Sequence, residues 1–488
     1  MSKTISERVS TGVAGLDEVL QSGLIAGRSY LVRGDPGTGK TALGFHFLSD
    51  GVASGESTLF INLEEGEADV RANAASMGFD LSDVNFLDLS PSSAFFAEDQ
   101  SYSVFASGDV SEESPSDAIK ERVEALDPDR VFLDPVTQFR YLTNDDYQFR
   151  KQVISFMRYL KEADATVLFT SQRSASTPDD DLQFLSDGIV DMQRSSEGRS
   201  IAVPKFRGSD RQAGRHALEI TDEGLVVYPK IVPGDHAADV QSEQIPSGVA
   251  GLDELLGGGI ERGTITVISG PTGVGKTTTA TLFSTQAATN GERAVFYHFE
   301  EAAATFRERC SAIGIPVPEQ ERAGRLHVEE VEPLAHSPES FAAMVREQVE
   351  EQDASVVVID GIKGYTLSVR GEEAELVRKL HSLGRYLKNM GVTVVLVDEV
   401  DSVTGDFQAT NTGISYLADN VLFMRHVEIE GALRKVVGVL KKRIGTFEST
   451  LREFEITGDG VQIGDPLTGF RGLIRGTPEI RDPSSEDD

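Results

Sequence analysis

The chain has 488 residues, of which 39% are hydrophobic and 26% charged, enough for two or three domains with proper cores. Its formal net charge is −33, from 79 Asp and Glu against 46 Lys and Arg, and its one cysteine is Cys310. These figures exclude a disordered chain, an intramolecular disulfide framework and a cysteine-built zinc site.

No run of about 18 apolar residues occurs, so no membrane span is expected. The opening MSKTISERVS lacks the apolar core of a secretory signal, and the expected compartment is the cytoplasm. Cys310 is expected to be an inert, partly buried thiol. So acidic a surface repels itself at ordinary salt. At about 1 M salt the Debye length is about 3 Å and that repulsion vanishes. The charge therefore points to a salt-adapted halophile such as a haloarchaeon. The alternative is an acidic mesophilic protein with an acidic partner-binding face.

In chain order, STGVAGLDEVL from Ser10 precedes the apolar run SYLVRG, the glycine-rich stretch GDPGTGKT from Gly34, and a helical pattern. The runs STLFINL, RVFLDP and TVLFTS follow as buried-strand candidates, separated by helical patterns. The Ser- and acid-rich segment 90–117 reads as a surface excursion. After RSIAVPKFRG comes the polar stretch IVPGDHAADVQSEQ (231–244), which has the Pro, Gly and polarity of a linker. The order then repeats: PSGVAGLDELL from Pro246, TITVISG, GPTGVGKT from Gly270, AVFYHF, SVVVID, VTVVLVD and RKVVGVLKKRIG. Gly34 and Gly270 are 236 positions apart, as are Gly12 and Gly248, Glu64 and Glu300, and Lys205 and Lys441. A repeat this long is a duplicated domain, not a solenoid unit. The expected domains are 1–230 and 245–475, joined by 231–244, with 476–488 an acidic disordered tail. Strands alternating with helices imply an α/β fold. Each domain should hold a mostly parallel twisted sheet flanked by helices, with antiparallel additions from the late segments.

Four groups of residues carry chemistry. GxxxxGK[ST] after a strand and before a helix is a phosphate-binding loop. Gly34, Gly37 and Gly39 permit the tight turn that also contains Thr38. Lys40 reaches the β- and γ-phosphates, Thr41 offers a hydroxyl to Mg²⁺, and Ala42 follows. Gly270, Gly273, Val274, Gly275, Lys276, Thr277 and Thr278 repeat the arrangement. Second, RVFLD and SVVVID end on Asp134 and Asp360, at strand ends where an aspartate can hold Mg²⁺ through water. Third, Glu64-Glu65 and Glu300-Glu301 follow strands. One carboxylate of each pair could polarise water or a hydroxyl for attack on the γ-phosphate. The alternative is a solvated helix start. Fourth, Lys205 with Arg207, flanking Phe206, and Lys441 with Arg443 could reach the γ-phosphate of a neighbouring subunit. An arginine supplied in that way is worth roughly 10³–10⁵ in rate. The alternative is a surface ion pair.

Taken together, GxxGLDE, the phosphate loop, the Glu pair, the strand-end Asp and K-x-R, in that order and twice, resemble the KaiC family within the RecA/DnaB-like P-loop ATPases. The resemblance runs from GVAGLDE to FRGLIRGTPE. It implies a homohexamer of stacked double rings with ATP at subunit interfaces, an ATPase in the first ring, and in the second an autokinase and phosphatase acting on its own hydroxyl residues. Cyanobacterial members set circadian time and archaeal relatives serve signalling. It also places Ser209, Thr221 and Asp222 at nucleotide contacts, and Ser415 at the phosphoacceptor serine with Thr410 nearby. Three departures stand out: Tyr416 replaces the acceptor threonine, Lys363 replaces a small hydroxyl residue, and the C-terminal tail is short. An unidentified signalling protein is the expected partner beside further copies of the chain. A DNA-dependent motor or recombinase shares the fold. However, the loops SQRSASTPDDD and VDSVTGDFQATNTG lack the basic and aromatic interleaving that grips single strands. A nucleotide-gated scaffold without turnover is a third reading, which the intact Glu pairs disfavour.

Overall fold

The computed structural model describes residues 7–91, 93, 115–142, 146–172, 180–196, 198–233, 243–368, 373–400, 414–475 and 479–480. The chain divides into two compact units, Met1–Lys230 and Ile231–Asp488. Unit one contributes β1 (Ser29–Gly34), β2 (Thr58–Asn62), β3 (Asn85–Asp88), β4 (Arg130–Asp134), β5 (Thr166–Gln172), β6 (Gly188–Ser195), β7 (Gly198–Phe206), β8 (Arg215–Thr221) and β9 (Gly224–Tyr228) to one nine-stranded sheet. Their order is β9-β8-β7-β6-β1-β5-β4-β2-β3. The six strands from β6 to β3 pair in parallel, while β7, β8 and β9 are added antiparallel.

Unit two repeats this with β10 (Ile265–Gly270), β11 (Arg293–His298), β12 (Leu326–Glu330), β13 (Ala354–Asp360), β14 (Thr393–Glu399), β15 (Asn420–Ile429), β16 (Ala432–Lys442), β17 (Arg452–Thr457) and β18 (Gly460–Pro466), ordered β12-β11-β13-β14-β10-β15-β16-β17-β18. The strands read as continuous apolar runs because both faces are covered. Side chains alternate across the sheet. Tyr30, Val32, Phe60, Phe132 and Leu168 therefore build one core of unit one, while Leu31, Ile61, Leu133, Val167 and Phe169 build the other. In unit two, Ile268, Phe296, Val358 and Val397 face one core, and Val267, Tyr297, Ile359 and Leu396 the other.

The helix after each phosphate loop, α1 (Lys40–Ala53) and α2 (Lys276–Thr289), lies against its sheet. Close approach in unit one depends on Gly44, where a Cβ would fall 2.1 Å from Phe132 Cε1. The GLDE aspartates serve the fold. Asp17 accepts from Thr11 N at 2.8 Å and from Ser10 Oγ at 2.8 Å, and Asp253 accepts from Ser247 N at 2.6 Å. Each locks the chain entering its unit.

Two expected boundaries shift. Ile231 packs on a core of unit two and Asn389 Nδ2 donates to Pro233 O, so the start of the expected linker belongs to that unit. Glu479–Ile480, expected in a disordered tail, pairs antiparallel with Phe470–Arg471. Cys310, expected to be partly buried, is wholly buried, and desolvation pushes its thiol up to about 11. Most of segment 90–117, part of 231–244, most of the two loops compared with single-strand binders, and Thr410 lie outside the described residues.

Candidate nucleotide sites

Each phosphate loop leaves the carboxyl end of a central strand and enters a helix. That is where ligands bind in open α/β sheets. Gly39 and Gly275 stand at the helix entrances with φ of 103° and 111°, in the left-handed region that a side chain resists. Space is also short: a Cβ on Gly275 would come within 2.6 Å of Phe454 Cε1.

Lys40 and Lys276 are both 8% exposed. Lys40 Nζ donates to Gly34 O at 2.8 Å and Asp35 O at 3.0 Å, and Lys276 Nζ donates to Pro271 O at 2.9 Å. Each ammonium therefore lies folded over its own loop. Burial pushes the pKa of both lysines down, while Asp134, Asp35 and Glu64 on one side, and Glu399, Asp360 and Glu300 on the other, push them back up. Each cation is thus desolvated, hydrogen-bonded to loop carbonyls and surrounded by carboxylates.

The strand-end aspartates meet the loop threonines. Thr41 Oγ1 donates to Asp134 Oδ2 at 2.6 Å, and Thr277 Oγ1 donates to Asp360 Oδ1 at 3.2 Å. Thr170 Oγ1 also donates to Asp134. Enclosure pushes the Asp134 carboxyl up, against those two hydroxyls and Lys40. In unit two, Asp360 is buried and its Oδ2 lies 3.2 Å from Nδ1 of the wholly buried His298. A hydroxyl beside one carboxylate is an all-oxygen donor pair that fits Mg²⁺, which takes its remaining ligands from phosphate and water. Among the described residues no group of three or more His, Cys, Asp or Glu could hold a metal ion.

The two glutamates of each pair part company. Glu64 Oε2 accepts from Gln172 Nε2 at 3.1 Å, on the loop side, whereas Glu65 Oε2 accepts from Asn73 Nδ2 at 3.0 Å. In unit two, Glu301 is gripped by both arms of Arg309, Nη2 at 2.7 Å and Nε at 3.2 Å, and Arg309 Nη1 donates to Thr278 Oγ1 at 3.0 Å. Glu300 has no such clamp. Partial desolvation in the cleft pushes its carboxyl up, Glu399 and Asp360 push it further, and Lys276 and Lys363 pull it back. The cleft of unit two measures about 320 Å³, and its lining includes Lys276, Thr277, Glu300, Asp360 and Glu399.

Lys205 and Arg207 do not join these groups within their own unit. Lys205 Nζ caps Gln183 O and Ser186 O, and Arg207 Nη1 lies 3.8 Å from Asp187 Oδ1. Lys441 Nζ likewise caps Ala418 O at 2.6 Å and Ser415 O at 3.2 Å, and Arg443 Nη1 donates to Asp419 Oδ1 at 3.3 Å. Neither Lys441 nor Arg443 lines the cleft. Ser415, half-buried in a short turn, shares their neighbourhood. Ser209 Oγ accepts from Arg8 Nη2 at 2.6 Å, Phe206 is buried, and Thr221 and Asp222 form the β8–β9 turn. That hairpin packs beside the loop: a Cβ on Gly39 would lie 3.0 Å from Leu225 Cδ2 and 3.4 Å from Ile220 Cδ1.

A family model described as "ATPase: KaiC" matches residues 9–232 and again 245–468. This chain belongs to the KaiC family of ATPases. It is similar to the circadian clock oscillator protein KaiC of Parathermosynechococcus lividus, 27% identical over 489 residues that cover 96% of this chain and 87% of the relative. The KaiC of Prochlorococcus marinus subsp. pastoris is 28% identical over 504 residues, 98% of this chain and 95% of the relative. That of Synechococcus elongatus is 27% identical over 489 residues, 96% and 92% respectively. The two nine-stranded sheets thus carry two KaiC ATPase domains, and the KaiC assignment implies nucleotide binding in each. Among the described residues no helix is long and apolar enough to cross a membrane.

Residues that sequence reasoning missed are Thr170, Gln172, His298, Arg309 and Glu399. Arg309 stands 236 positions after Asn73, so laying the repeats over each other exposes the exchange of an amide for a cation. Gln172 and Glu399 escape that comparison. They are matched only by the sheet, where Gly34 pairs with Gln172 and Gly270 with Glu399.

Proposed function

We propose that the chain is an ATP-driven regulator that assembles as a homohexamer of stacked rings. Unit one hydrolyses ATP, and unit two binds ATP and passes its γ-phosphoryl group to Ser415. The observation that supports this most directly is the repeated constellation: a buried loop lysine, a threonine–aspartate pair, and a glutamate within electrostatic reach of that lysine.

Lys40 and Lys276 would leave their loop carbonyls for the β- and γ-phosphates. Thr41 with Asp134, and Thr277 with Asp360, would hold Mg²⁺, which when bound neutralises charge on the phosphate oxygens. Glu64 and Glu300 would take the proton from the attacking group, water in unit one and water or Ser415 Oγ in unit two. The new oxygen–phosphorus bond forms as the bond to the β-phosphate breaks, and ADP leaves. Glu65 and Glu301 are positioning residues, because each is already engaged by a side chain of the following helix.

Self-association is supported by where the cations of unit two lie. Lys441, Arg443 and Ser415 cluster away from their own cleft, and one edge carrying both cations and acceptor could complete the cleft of a neighbouring copy. The relatives named above are circadian clock oscillator proteins, so a signalling or timing role is the reading adopted for this chain, with an unidentified protein as the receiver.

The test is incubation with γ-³²P-ATP and Mg²⁺ in molar KCl, following released phosphate and protein-bound label together. Label that disappears in Ser415→Ala and in Glu300→Gln is expected. Released phosphate without any label would leave a tandem ATPase and remove the autokinase.

A further inference from the structure

The two clefts differ at one position fixed by the sheet. The strand beside each phosphate loop ends next to the first loop glycine, Gln172 against Gly34 and Glu399 against Gly270. In unit one this end is a neutral amide that supports Glu64. In unit two it is a carboxylate, 28% exposed and set among the loop's own phosphate-binding groups. Glu399 Oε2 accepts from Thr272 Oγ1 at 2.8 Å and lies 3.8 Å from Lys276 Nζ. Its other oxygen lies 3.8 Å from Lys363 Nζ. Thr272, Lys276 and Glu399 all line the cleft.

A loop lysine of this kind reaches the β- and γ-phosphates. The carboxylate therefore sits beside the ammonium that the outer phosphates need. We propose that Glu399 is a built-in competitor for the γ-phosphate in unit two, lowering the preference of that cleft for ATP over ADP below that of unit one. When ATP enters, Lys276 changes partner and Glu399 is left facing the most highly charged end of the nucleotide. ADP ends one phosphate earlier and meets less of that repulsion. Lys363 is the cation that keeps hold of Glu399 when Lys276 leaves, so it works against the penalty. Lys363 and Glu399 thus act as a matched pair of opposite sign. The same carboxylate crowds Glu300, whose pKa is raised by desolvation and then by Glu399.

This inference rests on the reading of both clefts as ATP sites, and the experiment separates the two. The full chain carrying Lys40→Ala, so that unit two alone reports, is titrated with fluorescent ATP and ADP analogues in molar KCl. Glu399→Gln, which installs the residue of unit one, should tighten ATP by about tenfold (about 1.4 kcal/mol) and ADP by less than about threefold. Lys363→Met should weaken ATP, and adding Glu399→Gln to it should restore most of the loss. Thermal melting of the nucleotide-free variants should stay together, which a merely structural role for Glu399 would not give. Equal gains for ATP and ADP, or none, would overturn the inference. If adding Lys276→Ala leaves nucleotide binding intact, the reading of the cleft itself fails.

Discussion

Arg309 is the sharpest electrostatic difference between the two glutamate pairs. It grips Glu301 with both arms and reaches Thr278 beside the phosphate loop, while the equivalent contact in unit one is a single amide hydrogen bond from Asn73. Replacing Arg309 with Ala removes one positive charge from the cleft and frees a negative one. Two unit charges about 4 Å apart near a protein surface interact by about 4 kcal/mol. Arg309 is 33% and Glu301 26% exposed, so solvent screening removes half or more of that figure. About 1.4–2 kcal/mol of lost phosphate binding remains, equivalent to 10- to 30-fold weaker ATP affinity. The assay is equilibrium titration of a fluorescent ATP analogue on the full chain carrying Lys40→Ala. Arg309→Lys keeps the charge but loses the fork, and should fall between Arg309→Ala and the parent. In the reciprocal Lys276→Ala background, Asn73→Ala should cost less than about threefold. An Arg309→Ala chain that binds ATP like its parent, or an Asn73→Ala loss as large, would refute the argument.

Three further outcomes follow from the same geometry. Glu64→Gln should cut phosphate release by roughly 10²–10⁴, the usual worth of a general base, whereas Glu65→Gln should cost much less, measured by steady-state release in the Lys276→Ala background. His46 accepts on Nε2 the Leu225 N–H at 2.7 Å, and burial pushes its pKa below the ordinary 6.5, opposed by a hydrogen bond from the ring to the Gly12 carbonyl. A lowered folded-state pKa means the unfolded chain binds the proton more tightly. Unit one should thus lose stability as pH falls below about 6.5, by at most about 1.4 kcal/mol per pH unit. His46→Leu, the residue found 236 positions later at Leu282, should flatten that part of the urea-midpoint profile, and an unchanged slope would dismiss His46 as its source. The net charge of −33 predicts a melting temperature that climbs between low salt and about 2 M KCl; greater stability at low salt would count against halophilic adaptation.

Much of this protein is legible in its sequence because duplication prints the same signals twice. The two glycine-rich turns and four of the six parallel strands in each unit are legible as apolar runs bounded by glycine and acid, whereas β3, β6, β12 and β15 are too short or too mixed in polarity to stand out. Side-chain direction at the loops is a different matter. Glu300 and Glu301 are adjacent in the chain, and only the helix carrying Arg309 decides which of them is clamped. Glu399 and Gln172 are 227 positions apart, not 236, because the segments between loop and strand differ in length in the two units; hydrogen-bonded register alone brings them to equivalent places. The K-x-R cations look like phosphate ligands on paper. Within one chain the two lysines cap backbone carbonyls and the two arginines face Asp187 and Asp419, an arrangement that depends on residues about 20 positions away. The GLDE aspartates look equally chemical and are locks on the entering chain.

The central claim is that each unit holds its own ATP cleft, built around Lys40 and Lys276. Nucleotide stoichiometry per chain, measured at saturating ATP analogue in molar KCl, tests it directly. The account predicts two nucleotides for the parent, one for Lys40→Ala, one for Lys276→Ala, and none for the double variant. Two nucleotides retained by either single variant, or one lost by neither, would contradict it.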